Sequence, residues 1–152
     1  MASSVVSELV LFIASLLIAG TVAGGLYMIT QDISDGITVR GKDLSYNLRV
    51  NFEIINDPEN IPVSDGAYIF YVKNIGKVPF TFDNNSVVVF IDGNLIPPAN
   101  LTFTNLDDPG SNNLQPYDIG EIQVATLLSA GYHKIVVVLA DGKRRSLIFK
   151  IG

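Results

Sequence analysis

Residues 9–29, LVLFIASLLIAGTVAGGLYMI, contain no charged residue, no proline and no asparagine. As an α-helix they would run about 32 Å at 1.5 Å per residue, close to the hydrocarbon thickness of a bilayer. An apolar run of about 18 or more residues is the pattern of a membrane-spanning helix. A core helix of a soluble protein would carry a polar stripe every 3.6 residues, and none is visible here. A helix greasy on every side has to sit in lipid or among helices of its own kind. Whatever else the chain folds into is organised around that segment.

The preceding residues, MASSVVSE, contain neither Lys nor Arg, and Glu8 is their only ionisable side chain. A secretory signal peptide has a basic start, a shorter apolar run and a small-residue cleavage site. Cleavage is therefore not expected, and the helix is read as part of the working protein. Small residues repeat within it: Ser15, Ala19 and Ala23 recur at every fourth position, and so do Gly20 and Gly24. That spacing lets helix backbones approach closely, which promotes association in lipid, where burial from water supplies no driving force. Gly and Ala are also frequent in spanning helices generally, so composition alone is the competing explanation.

About 115 of the 152 residues remain after the helix and its exit, enough for one domain with its own core. The chain is expected to divide into a hydrophobic helix over 1–35, a connector over 36–42 and a β-domain over 43–152, with Gly36 and Gly41 as hinges. The cleanest strand is expected over 46–54, where Tyr46, Leu48, Val50, Phe52 and Ile54 alternate with Asn47, Arg49, Asn51 and Glu53. Residues 67–73, AYIFYVK, apolar on both faces, are expected to form a central strand, and 87–91 a buried one. Asp92-Gly93 and Asp141-Gly142 are hairpin signals, while 56–65 and 105–115 read as polar loops. About eight short strands with turn signals every eight to twelve residues predict an all-β, immunoglobulin-like β-sandwich.

Composition and motifs exclude several classes of function. A net charge of −5 and a pI near 4.6 argue against nucleic acid as a partner. With no cysteine there is neither a disulfide nor a thiolate metal site. The sole histidine, His133, has no nucleophile or second base near it in the pattern, so no enzyme is expected. No phosphate- or dinucleotide-binding glycine motif implies a cofactor. The acidic groups Asp107-Asp108 and Asp57/Glu59 lack EF-hand spacing and read as solvated loops, so no metal is expected. The run Lys143-Arg144-Arg145 follows a turn and reads as an exposed edge kept soluble by charge. Two sequons, Asn84-Asn85-Ser86 and Asn100-Leu101-Thr102, make Asn84 and Asn100 candidates for N-glycosylation.

The run SELVLFIASLLIAGTVAGGLY resembles the N-terminal helix of archaellins and type IV pilins. A start of Met-Ala-Ser-Ser-Val followed directly by that helix is most similar to archaellum accessory proteins of the FlaG type, with the FlaF type the close competitor. The resemblance implies a structural part of the archaeal motility machinery, a stator or filament-forming accessory protein joining the membrane motor to the cell-surface layer. It implies self-association through the N-terminal helix, a FlaF-like partner and contact with the surface-layer protein. It also implies a β-domain outside the cytoplasm. The charge pattern points the other way, because all ten Lys and Arg follow the helix and a positive-inside count would keep the domain in the cytoplasm. In pilins a glutamate near the helix start pairs with the α-amine of a neighbouring subunit, and Glu8 is the residue to which that role would pass. The alternatives are an archaellin- or pilin-like filament subunit and a membrane-anchored extracellular binding module.

Overall fold

The computed structural model describes residues 1–152. Helix α1 runs without a break over Ala2–Arg49, 48 residues, none of them buried. At 1.5 Å per residue that is about 72 Å. The connector expected over 36–42 is therefore helical, as are residues 46–49 of the expected strand. The physical reason lies in propagation. Once a helix exists, each added residue gains one hydrogen bond for one residue's entropy, and no proline occurs before Pro58 to stop it. Gly36 and Gly41 weaken the helix interior by roughly 1 kcal/mol each without ending it. Ile33, Ile37, Leu44 and Leu48 keep an apolar residue on one helical face beyond residue 29. Ser and Thr hydroxyls are absorbed internally: Ser15 donates to the Leu11 carbonyl at 2.7 Å, Thr21 to that of Ile18 at 2.9 Å and Thr30 to that of Leu26 at 2.8 Å.

Residues 45–152 form a unit distinct from residues 1–44. Its first sheet is built from β1 (Phe52–Ile54), β3 (Ala67–Asn74), β9 (Ile119–Val124) and β7 (Leu101–Asn105) in that order, with β2 (Val63–Ser64) also paired to β3. The second has the order β11 (Arg144–Ile151), β10 (Gly131–Leu139), β5 (Val87–Ile91), β6 (Asn94–Leu95). A small ribbon pairs β4 (Phe80–Thr81) with β8 (Asn113–Leu114), the latter inside the segment expected to be loop. All pairings are antiparallel. The chain thus comprises one long N-terminal helix with an apolar segment and an immunoglobulin-like β-sandwich.

The two large sheets close over one core that includes Val50, Phe52, Phe70, Val89, Ile122, Ile135, Val137 and Phe149. Phe70 and Phe149, from opposite sheets, meet edge to face with centroids 5.1 Å apart. The segment AYIFYVK is central as expected, flanked by β1 and β2 on one side and β9 on the other. β5 is buried on one face only: Val87, Val89 and Ile91 point inward, whereas Val88 is 41% exposed. The turn Asp92-Gly93 has positive φ at both residues, 53° and 81°, the type I′ geometry of a tight hairpin. Asp65-Gly66, with φ of 51° and 79°, makes a further hairpin between β2 and β3. Gly120 is glycine for packing reasons, because the Phe82 ring and Leu114 occupy the space of a β-carbon.

Candidate functional site

The most specific chemistry in the fold lies where the last turn of α1 enters the sandwich. A helix end leaves its final carbonyls without intrahelical donors, and it carries a partial negative charge. Here each donor comes from far along the chain. Lys143, after the β10–β11 turn, places its ammonium 2.9 Å from the Asn47 carbonyl and 2.7 Å from that of Val50. The Lys77 amide donates to the Arg49 carbonyl at 2.9 Å, and the amides of Ile75 and Gly76 donate to Asn51 at 3.1 and 3.0 Å. Arg145 adds a bond to the Phe52 carbonyl at 3.1 Å and another to the Asn51 side chain, with Glu53 at 3.6 Å. Tyr46 donates its hydroxyl to the Pro79 carbonyl at 3.2 Å. Burial, and secondarily the Asp141 carboxylate, raises its pKa.

The turn that supplies these amides is shaped by Asn74, a fully buried polar side chain. Its amide donates to the carbonyls of Val78 and Leu114 at 3.0 and 2.9 Å, and its oxygen accepts from Gly76 N–H at 2.9 Å. Sequence reading placed a solvated edge at 143–145, which here lies beside the turn at 74–77. The structure makes both of them parts of one clasp. The legible signal was the Asn-x-Gly spacing, in which the side chain mimics a backbone turn. Nothing in a linear reading ties Lys143 to residue 47.

His133 is a second built feature. Its Nδ1 lies 2.6 Å from an Asp92 carboxylate oxygen and its Nε2 lies 2.8 Å from the Ser129 carbonyl. Both nitrogens face acceptors, so only the doubly protonated ring makes both bonds. The Asp92 bond and then the Ser129 bond raise the imidazole pKa above its ordinary 6.5. The bonds from His133 and the Lys134 amide hold Asp92 below 3.8. A raised folded-state pKa contributes stability fully present below 6.5 and lost as pH rises through the folded value; the lowered Asp92 value removes stability as pH falls through it. We expect the urea midpoint of the wild-type chain to fall as pH rises above 6.5, and His133→Gln to flatten that decline. An equal decline in both proteins would exclude His133 as its source.

The residues singled out for the helix, Glu8, Ser15, Ala19, Gly20, Ala23 and Gly24, are all exposed along α1. Nothing within the chain lies within 4 Å of where a β-carbon at Gly20 or Gly24 would sit. Glu8 forms no ion pair within the chain. Asn84 and Asn100 are exposed and neighbouring: the Asn84 amide donates to the Pro98 carbonyl at 3.2 Å, and Asn100 closes the single 3₁₀ turn Pro98–Asn100. The acidic loops are used in turns, with Asp107 accepting from the Ile119 amide at 2.7 Å and Asp57 from that of Glu59 at 3.0 Å.

Compared with known proteins, residues 2–149 match the archaeal-type flagellin family. The chain belongs to that family. Among archaeal-type flagellin relatives, the flagella-related protein G of Methanocaldococcus jannaschii is 45% identical over 147 residues, 95% of this chain and 94% of that protein. The flagella-related protein G of Methanococcus voltae is 37% identical, covering 99% of each. Similar solved structures include the archaellum periplasmic stator protein FlaG of Sulfolobus acidocaldarius, 22% identical, covering 66% of this chain and 99% of that one with a TM-score of 0.47. The complex of FlaF and FlaG from the same organism matches at 23% identity over 64% of this chain and 87% of that one, TM-score 0.45. This archaeal-type flagellin chain is a structural component of the archaeal motility machinery.

Proposed function

We propose that the chain is a stator-type anchoring component of the archaellum, joining the membrane-embedded motor to the cell-surface layer together with a FlaF-like partner. In this reading residues 9–29 lie in the membrane or in a bundle of like helices, and the sandwich stands outside the cytoplasm. The observation that carries it is the pairing of an unpartnered apolar helix surface with a helix end clasped by Lys143, Lys77 and Gly76. A link that resists torque needs both an anchor and an attachment that does not slip. Ser15, Ala19, Gly20, Ala23 and Gly24 form the close-packing surface between helices, and Glu8 pairs with the α-amine of a neighbouring copy. Asn84 and Asn100 are the sites an extracytoplasmic glycosylation enzyme would meet.

The test is a strain in which Gly20 and Gly24 are both replaced by Leu. Leucine suits lipid as well as glycine does but bars close backbone approach. The expected result is normal membrane insertion with intact surface filaments, loss of helix cross-linking in membranes and loss of swimming in soft agar. Unchanged swimming and cross-linking would refute the anchoring role of the helix face.

A further inference from the structure

The second sheet has an outward face unlike that of an ordinary solvated antiparallel sheet, where polar residues alternate outward. One row across it reads Leu95, Phe90, Val136 and Ser146, and the next Val88, Val138 and Arg144. Ile148 stands opposite Lys134, and Tyr132 opposite Lys150, whose ammonium lies 5.8 Å from the ring centroid. Leu95, Ile148 and Tyr132 are 57, 61 and 69% exposed. A contiguous apolar face of this kind marks an interaction surface in a soluble domain. A shallow cavity lined by Lys134, Val136, Arg144, Arg145 and Ser146 opens on the same sheet.

The charges on this face weigh against a second copy as its occupant. Strands β5, β6, β10 and β11 contain Lys134, Arg144, Arg145 and Lys150 but no Asp or Glu, although the whole chain carries a net charge of −5. The two carboxylates in the sheet's hairpin turns are engaged internally, Asp92 by His133 and the Lys134 amide and Asp141 by the Lys143 amide. Two copies of this chain packed through this face by a two-fold axis would set Lys134, Arg144 and Lys150 against their own kind, a like-charge arrangement that disfavours pairing.

We infer that the outward face of the β6–β5–β10–β11 sheet docks a different subunit, whose matching face is apolar at its centre and acidic at its rim. On the function proposed above, on which this step rests, that subunit is the FlaF-like accessory protein. The apolar rows supply contact area, and Lys134, Arg144 and Lys150 set register and speed encounter.

The test uses the full-length chain, extracted in detergent and mixed with the purified FlaF-like protein of the same species. Ile148→Glu is expected to weaken co-elution at least tenfold, while Val63→Glu, an equally exposed apolar position on the other sheet, leaves it unchanged. Lys134→Glu is expected to weaken binding and to reduce the loss of wild-type affinity seen as salt rises. Because the chain has no cysteine, Ile148→Cys introduces a single thiol, and a maleimide–benzophenone reagent attached to it should photo-cross-link the chain to the partner rather than to a second copy. Wild-type pairing that survives Ile148→Glu and Lys134→Glu overturns the assignment of this face while leaving the stator reading intact. Cross-links between two copies overturn it as well. A wild-type chain that never pairs with the FlaF-like protein removes the partner from the proposed function, and this inference with it.

Discussion

Replacing Gly76 by valine should cost the chain about 3 kcal/mol, the upper part of the range for forcing atoms into a filled site. A β-carbon there would lie 2.5 Å from the Arg49 carbonyl oxygen and 2.6 Å from the Asn51 nitrogen, both backbone atoms. Neither can rotate aside as a side chain would. Relief requires the turn at 74–77 to retreat from the helix end, and the bonds from Ile75, Gly76 and Lys77 lengthen together. Chemical unfolding of the full chain in detergent micelles reads the loss. Faster amide hydrogen exchange at residues 75–77 should accompany it. A variant as stable as the wild type would mean that the close approach is not required.

Lys143→Met should cost about 2 kcal/mol, because two carbonyls lose a charged donor while the methionine preserves most of the aliphatic stem. The position is only partly exposed, so water replaces the donor incompletely at Val50. Lys143→Arg tests geometry separately from charge, since a planar guanidinium cannot place one nitrogen between the Asn47 and Val50 oxygens as an ammonium does. The expected order of thermal stability is Lys, then Arg, then Met. Equal stability of all three would assign the clasp to the backbone amides alone.

The fold was legible where one physical signal dominated. Residues 9–29 could only be an apolar helix, and Asp92-Gly93 could only be a tight turn. The stretch 46–54 shows why legibility ends. Its period of two belongs to a real strand only over Phe52–Ile54, and alternate burial begins at Val50: Val50, Phe52 and Ile54 are 0, 0 and 6% exposed, whereas Tyr46 and Leu48 are 43 and 75% exposed on the helix. A polar residue at every second position cannot reveal that an established helix propagates into it. The clasp was less legible still, since it joins residues 93 to 96 positions apart. Local patterning sets elements, whereas pairings of that span depend on the closed sandwich. The outward sheet face was misread in part for a related reason: 87–91 is apolar throughout, which suits a strand buried on both sides as well as one presenting Val88 and Phe90 to a partner.

That long span has a biosynthetic consequence. Lys143 is synthesised 93 residues after Val50, the carbonyl it covers. A nascent chain leaving the ribosome therefore carries a finished hydrophobic helix for some time before the helix end can be secured. At about 5–20 residues per second the interval is roughly 5 to 19 seconds. During that interval residues 9–29 are free to partition into a bilayer while the sandwich is still open. Chains interrupted before the β10–β11 hairpin would keep bare carbonyls at residues 47 and 50 and would be open to proteolysis. The order of synthesis thus makes attachment of the helix a report on completion of the domain.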